Sequence, residues 1–437
     1  MVRWLLSLAV ICSSSFSMAA DWPQWMGPDR NDIWTETGII REIPESGLTV
    51  KWRVPVTGGY AGPAVVGNRV LLTDFNRNSG EAFNNPGQRA ELKGQERVHC
   101  LDAATGKTLW THAYDCDYAI SYPCGPRTTP TVDGDRVYTL GAEGHLFCLN
   151  LADGAVIWSK SLKEAYRTES PIWGFSAHPL VEGDQLICMV GGEGSVVVSF
   201  NKHTGEEIWK ALTDKEPGYC PPSMIEAGGV RQLIIWHPQA INGLNPANGE
   251  VYWSVPLAPD YAMTIMAPRK SGDLLFASGI GNVAAVLKLG SDAPTAEVVW
   301  RGTPKNAVYC ANSTPQIVDG TIYGCDCRSG ALLGVRLSDG ERLWQTYEPT
   351  TGKNRGGHGT AFIVKNDDRF FLFSETGDLI LAKLSPEKYQ ELGRFHVLEP
   401  TGEAFGRNVV WSHPAFAQGS LFARNDKEIV CVSLRAE

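Results

Sequence analysis

The sequence lacks what would bring it to nucleic acid or carry it through a membrane. Lys and Arg number 39 against 48 Asp and Glu, a formal charge of −9, and cations occur only as scattered pairs such as Arg269-Lys270. The electrostatic footprint that phosphate backbones require is therefore missing. Beyond residue 20 no stretch reaches the roughly 18 consecutive apolar residues of a membrane-spanning helix. Helix-favouring runs of Ala, Glu, Lys and Leu are scarce, while 46 glycines and 26 prolines punctuate the chain; an all-β fold follows. A cysteine framework is missing too. Cys100, Cys148 and Cys431 stand at one repeated strand position ("VHCLD", "LFCLN", "IVCVS"), where cysteine serves as a small hydrophobe. Cys116 and Cys124 flank one short loop and are the candidate disulfide pair. Cys325-Asp326-Cys327 puts two thiols on one strand face, but no second Cys/His pair stands near them in sequence to complete a metal site.

What is present is repetition. "LDAATGKTLW" ends at Trp110, "LNLADGAVIW" at Trp158, "FNKHTGEEIW" at Trp209, "LNPANGEVYW" at Trp253 and "VRLSDGERLW" at Trp344. Each has an apolar residue, a polar turn with Gly, and then Trp. A full unit such as "TPTVDGDRVYTLGAEGHLFCLNLADGAVIW" alternates apolar and polar residues between Asp-Gly and Gly turns, which predicts a four-stranded antiparallel meander. Unit starts fall near Gly62-Pro63, Thr129-Pro130, His178-Pro179, Pro221-Pro222, Ala267-Pro268, Thr314-Pro315, Thr360 and His413-Pro414. Eight such units predict an eight-bladed β-propeller. The opening proline suits a channel-lining edge strand, whose first residue needs no N–H. The tryptophans, Trp52, Trp110, Trp158, Trp209, Trp253, Trp300 and Trp344, are predicted on the outermost strands, docking each blade against its neighbour. The units ending "SDAPTAEVVW" and "LSPEKYQELGRF" are degenerate copies.

The last unit stops after its third strand, and "LTVKWRVPV", Leu48 to Val56, supplies an outer strand ahead of the first. The N-terminal strand is thus expected to complete the last blade and close the ring. Residues 48–437 form the propeller in this division. Residues 21–47, with "DWPQWMGPDRNDIW", form an extension expected to cross a face or side without regular structure. Residues 1–20 carry one early cation, an apolar stretch and small residues before Asp21, the pattern of a secretory signal cleaved near Ala19 or Ala20. The destination is periplasmic or extracellular. Asn76 to Glu96 is expected as a polar surface insertion.

Loops leading into the first strand of each blade converge on the channel mouth, so their residues are the ones a ligand meets. These are Tyr60, Arg127, Trp173, His178, Tyr219, Asn312, Arg355, His358, Arg407, Trp411 and His413. Three readings stay open: a wetted, hydrogen-bonded rim; a site for a small anionic ligand, with Arg forks for carboxylates and Trp173 or Trp411 for a flat ring; and a three-histidine metal site. As a general base, Glu169 stands nearest, with Asp260 and Asp115 behind it.

The Asp102, Thr105, Gly106, Trp110 turn resembles the repeat of the pyrroloquinoline quinone (PQQ) propeller superfamily, over nearly the whole chain after the signal. Phrases such as "DWPQWMGPDR" and "WGFSAHPLVEGD" look most like exported PQQ-binding-like propeller proteins abundant in planctomycetes. The superfamily includes quinoprotein alcohol dehydrogenases and BamB, a non-enzymatic outer-membrane assembly factor. The resemblance implies either a binding or scaffolding module acting through its channel mouth, a PQQ- and Ca²⁺-dependent oxidoreductase of an alcohol or sugar, or a BamB-like factor with envelope protein partners. Against the oxidoreductase, the chain has no adjacent Cys-Cys pair and no C-x-x-C-H for a covalent haem, and it lacks the length those enzymes spend on active-site insertions.

Overall fold

The alternation written into each repeat becomes eight antiparallel sheets arranged as a ring. The computed structural model describes residues 20–436; the expected signal segment, Ala20 apart, and its cleavage point at Ala19 lie outside the described residues. First strands follow the predicted unit starts directly, a proline in every case but Thr360: Ala64–Val66, Thr131–Asp133, Leu180–Glu182, Ser223–Ala227, Arg269–Ser271, Gln316–Val318, Ala361–Asn366 and Ala415–Ala417. Each pairs outward through three further strands in sequence order. The eighth blade is the exception in chain order, because its outermost strand is Val50–Pro55, which pairs antiparallel with Glu428–Ser433. The ring therefore closes as the sequence predicts. Among the described residues no helix is long and apolar enough to cross a membrane.

The tryptophans occupy the outer strands and lean onto the next blade. The indole N–H of Trp52 donates to the Ala103 carbonyl, that of Trp110 to Leu151, Trp158 to Lys202, Trp300 to Leu337 and Trp344 to Ser385, all at 2.8–3.0 Å. Trp209 reaches Pro246 at 3.1 Å. Each acceptor lies at the polar turn of the following blade, and except at Ser385, whose turn has no glycine, the turn glycine meets the ring: a Cβ on Gly154 would stand 2.5 Å from Trp110, and one on Gly106 2.8 Å from Trp52. Trp253 differs. Its N–H goes to Gln232 of its own blade at 2.7 Å.

Across the strand pair, each tryptophan faces a third-strand residue. Cys431, Cys100 and Cys148 stand opposite Trp52, Trp110 and Trp158, and Ser199, Gly243 and Gly334 opposite Trp209, Trp253 and Trp344. Only Val286, opposite Trp300, is larger. The repeated cysteines are thus small residues making room for an indole. In all eight blades the outer pair carries a register shift at this place, a β-bulge, which adds twist and turns the next side chain inward.

Two expectations are corrected. Cys116 and Cys124 are not bonded: Cys116 Sγ lies 3.7 Å from His145 Nδ1, and the Cys124 thiol donates to Asp426 at 3.0 Å. The insertion at 76–96 is mostly strand, since Arg69–Ser79 and Ala90–Asp102 run on as one long hairpin, braced by Tyr118–Ile120.

The N-terminal extension does more than cross a face. Trp22 pairs with Val65 of blade one, and the Pro23 carbonyl accepts from Val132 of blade two. Arg30 donates to the His178 and Pro179 carbonyls of blade three. Arg269 of blade five and Gln316 of blade six donate to its backbone at Arg30 and Asn31. Trp34 takes Lys365 of blade seven, and Asp32 meets His413 of blade eight at 3.1 Å. A segment touching first strands all around the ring lies within the central channel, and Trp25 and Met26, both buried, obstruct it.

Candidate functional site

Above that obstruction the inbound loops frame a funnel of about 1080 Å³ with a narrower base of about 140 Å³. Its size follows from blade number, since eight first strands leave a channel too wide for side chains alone to fill. Trp25 belongs to the floor, its ring stacked on His178 at 4.6 Å. The walls carry Tyr60, Trp173, Tyr219 and Trp411, with Ile172, Ile265, Ile280 and Met263 between them. At the lip stand Tyr261 and Phe405, 77% and 52% exposed, both at positive φ on short turns. The blade-one hairpin adds Pro86, Gly87 and Arg89. The surface is aromatic and largely apolar.

Of the residues expected at the mouth, the structure brings Tyr60, Arg127, Trp173, Tyr219, Asn312, His358 and Trp411 together around the funnel, with His178 and His413 at its base. Arg355 and Arg407 line neither cavity. Arg355 is exposed, its nearest partner the Arg328 carbonyl at 3.5 Å. Arg407 turns inward to Glu375, with Nε–Oε1 at 2.7 Å, and also donates to the Gly357 carbonyl. Glu169, Asp260 and Asp115 are exposed and outside the funnel lining, so none is placed to act as a base there.

Arg127 reaches the wall, but its donors are spent. Nε donates to the Trp173 carbonyl at 2.7 Å, Nη2 to those of Ser121 and Tyr122 at 3.0 and 2.6 Å, and Nη1 to that of Gly125. Its plane lies 5.2 Å from the Tyr60 ring. The guanidinium ties loops together, and no free fork remains for a carboxylate. The arginine fork expected for an anionic ligand is therefore not available at Arg127.

The histidines do not converge. His178 Nδ1 accepts from the Thr129 N–H at 2.9 Å, and burial, with Arg30 and His413 nearby, holds its pKa well below the usual value. His413 faces the Pro414 carbonyl and Asp32. His358 lies higher, stacked on Phe405 at 4.6 Å and 3.4 Å from Asn312 Oδ1. The Asn312 amide donates to the His358 carbonyl and Thr360, so its oxygen accepts from Nδ1–H and Nε2 carries the lone pair. Burial and Arg407 lower the His358 pKa to about 4, so the ring is neutral at pH 7. Among the described residues no group of three or more His, Cys, Asp or Glu is placed to hold a metal ion.

Sequence reasoning missed the carboxylates that hold the loops. Glu375, buried, accepts from the Thr360 N–H, Arg407 and the Trp411 indole. Glu143 takes the Ala119 N–H and Asp326 the Tyr309 N–H in the same manner. Asp326 and Glu375 directly follow the second strand of their blades and Glu143 comes three residues after it, so a scan of the loop after each second strand could have found them.

Comparison with known proteins fits this geometry. The family model described as outer membrane protein assembly factor BamB matches residues 94–288 and 237–437. BamB of Yersinia pestis is 22% identical over 265 residues, 58% of this chain and 64% of that protein, so the chain spans just under two thirds of that relative's length. A crystal structure of BamB from Moraxella catarrhalis superposes with a TM-score of 0.58 at 14% identity, covering 89% of this chain and 98% of that one. A quinohemoprotein alcohol dehydrogenase from Comamonas testosteroni gives 0.59 at 12% identity, covering 95% and 81%. At these identities the structures share the fold.

Proposed function

The chain belongs to the family described as outer membrane protein assembly factor BamB, and from that premise we propose that it is an exported, non-enzymatic binding module whose working surface is the funnel. The observation that carries this reading is a deep aromatic cavity whose arginines are satisfied within the protein. Such a wall binds and orients; of the two carboxylates on it, Asp214 is engaged with His237 at 2.9 Å and Glu216 stands beside the exposed Lys215. Family membership supports an envelope location and envelope partners, as the names of the relatives suggest.

The fold is shared with a quinohemoprotein alcohol dehydrogenase, so PQQ with Ca²⁺ has to be tried against these residues. PQQ brings three carboxylates on a flat ring system. The two best cations for them, Arg127 and Arg407, are engaged with carbonyls and with Glu375, and the described residues offer no acidic cluster for the metal. The residues do not fit the group.

Site-specific crosslinking tests the reading. A photoreactive residue in place of Gln239, on the funnel wall, is expected to capture a discrete adduct in an envelope extract, while the same residue in place of Leu109, exposed on an outer strand, is not. Equal capture from both positions would remove the funnel as the working surface.

A further inference from the structure

The funnel's hydrogen-bonding groups sort by charge. Its arginines are committed: Arg127 to four carbonyls, and Arg89 to those of Ala119, Ser170 and Pro171; the exposed Lys215 and the half-buried Glu216 next to it add one charge of each sign to the lining. Asp214 is paired with His237 at 2.9 Å. The other uncommitted groups inside are neutral. The Tyr219 hydroxyl is buried without an acceptor, and burial holds both it and the Tyr60 phenol in the protonated form. The Trp173 indole N–H, the Ser176 hydroxyl and the Gln239 amide lie on the same lining, and the neutral His358 ring adds its Nε2 lone pair.

Neutral donors and acceptors spaced between aromatic faces select a ligand that is itself neutral, bears many hydroxyls and has apolar ring faces. A simple hydrocarbon would leave these polar groups unpaired, at a cost for each one buried. A polyanion would find only Lys215, offset by Glu216 beside it, to replace its water. From this sorting we infer that the funnel holds the end of a neutral oligosaccharide, with sugar rings against Trp173 and Tyr219, whose rings stand 5.5 Å apart, and against Trp411 opposite. At about 1080 Å³ the space exceeds the roughly 300–1000 Å³ of ordinary small-molecule pockets, which suits several linked rings. The exposed Tyr261 and Phe405 extend the aromatic track beyond the lip. The inference rests on the binding reading above and names its ligand class.

The test uses the purified chain on an array of neutral, sulfated and carboxylated glycans, followed by titration of the retained glycan by tryptophan fluorescence. Retention of neutral glycans is expected, with affinity unchanged between 50 and 500 mM NaCl as roughly expected where no counterions are displaced. Trp173→Ala and, as a milder change, Gln239→Ala are expected to weaken it on the order of tenfold or more, the size of a lost stacking or hydrogen-bonding contact. Preference for acidic glycans, collapse of binding with salt, or indifference to both variants overturns the inference. An array without retention, alongside a protein adduct at position 239, overturns the carbohydrate and leaves the binding module standing. An array without retention and no adduct removes both.

Discussion

Four carbonyls around one guanidinium mark Arg127 as a strut. Arg127→Lys is expected to lower stability by about 3 kcal/mol, because a single ammonium leaves some of those buried carbonyls without a donor at roughly 1–3 kcal/mol each. A shifted urea midpoint at unchanged slope would show it; a variant as stable as the parent would deny the strut. His358 adds a pH dependence. Its pKa falls to about 4 in the folded chain against roughly 6.5 unfolded. Between those values the unfolded chain binds the extra proton, so stability is full above pH 6.5 and is lost as pH falls toward 4. For this one ring the loss is about 3 kcal/mol, and His178 adds in the same direction. Denaturation midpoints from pH 7 to 4.5 should therefore fall, and His358→Gln should flatten the slope. At this scale the sequence was only half legible. Position in the repeat placed Arg127, Trp173 and His358 near one another, but whether a guanidinium is free or spent depends on carbonyls from loops far apart in sequence, and no motif records them.

Between neighbouring blades the unit of cohesion is an indole on a turn glycine, with a small residue behind it. Gly154 sits at φ 74 with Trp110 against it, whereas Gly134, at φ 59, has nothing within 4 Å of where a Cβ would be. Gly154→Ala should cost about 3 kcal/mol, combining overpacking with left-handed backbone strain. Gly134→Ala should cost only the strain, about 1 kcal/mol. Thermal melts of the two, side by side, separate blade docking from turn geometry; equal losses would mean that the docking contact contributes little. These elements were the legible part of the chain, because strand alternation, proline starts and the Gly–Trp spacing are local. The blade-one hairpin was read as a loop because its polar tip hides strand pairing that Tyr118–Ile120 supplies from outside.

As a whole the molecule is held by one non-local strand. Deleting residues 1–56 would strip Val50–Pro55 from Glu428–Ser433 and leave an open sheet edge beside the largest hydrophobic cluster, to which Trp22, Trp34 and Trp52 all contribute. The expected result is aggregation on size-exclusion chromatography instead of a slightly smaller monomer; a stable monomer would mean that closure is dispensable. The sequence foretold that closure, because a three-stranded last unit called for a partner. It did not foretell where Trp22 to Trp34 go, since a segment without periodicity carries no signal of its own and its partners are spread over the whole ring. That placement decides what the molecule can do with a polymer. With Trp25 and Met26 across the axis, the propeller is a cup and not a tube. Nothing can be threaded through it, whatever enters must leave by the same opening, and a long chain can be gripped only by a terminus. With the oligosaccharide inferred above as its ligand, such a protein would count ends, not lengths: cutting one polymer into ten pieces would multiply its binding sites tenfold while adding no mass.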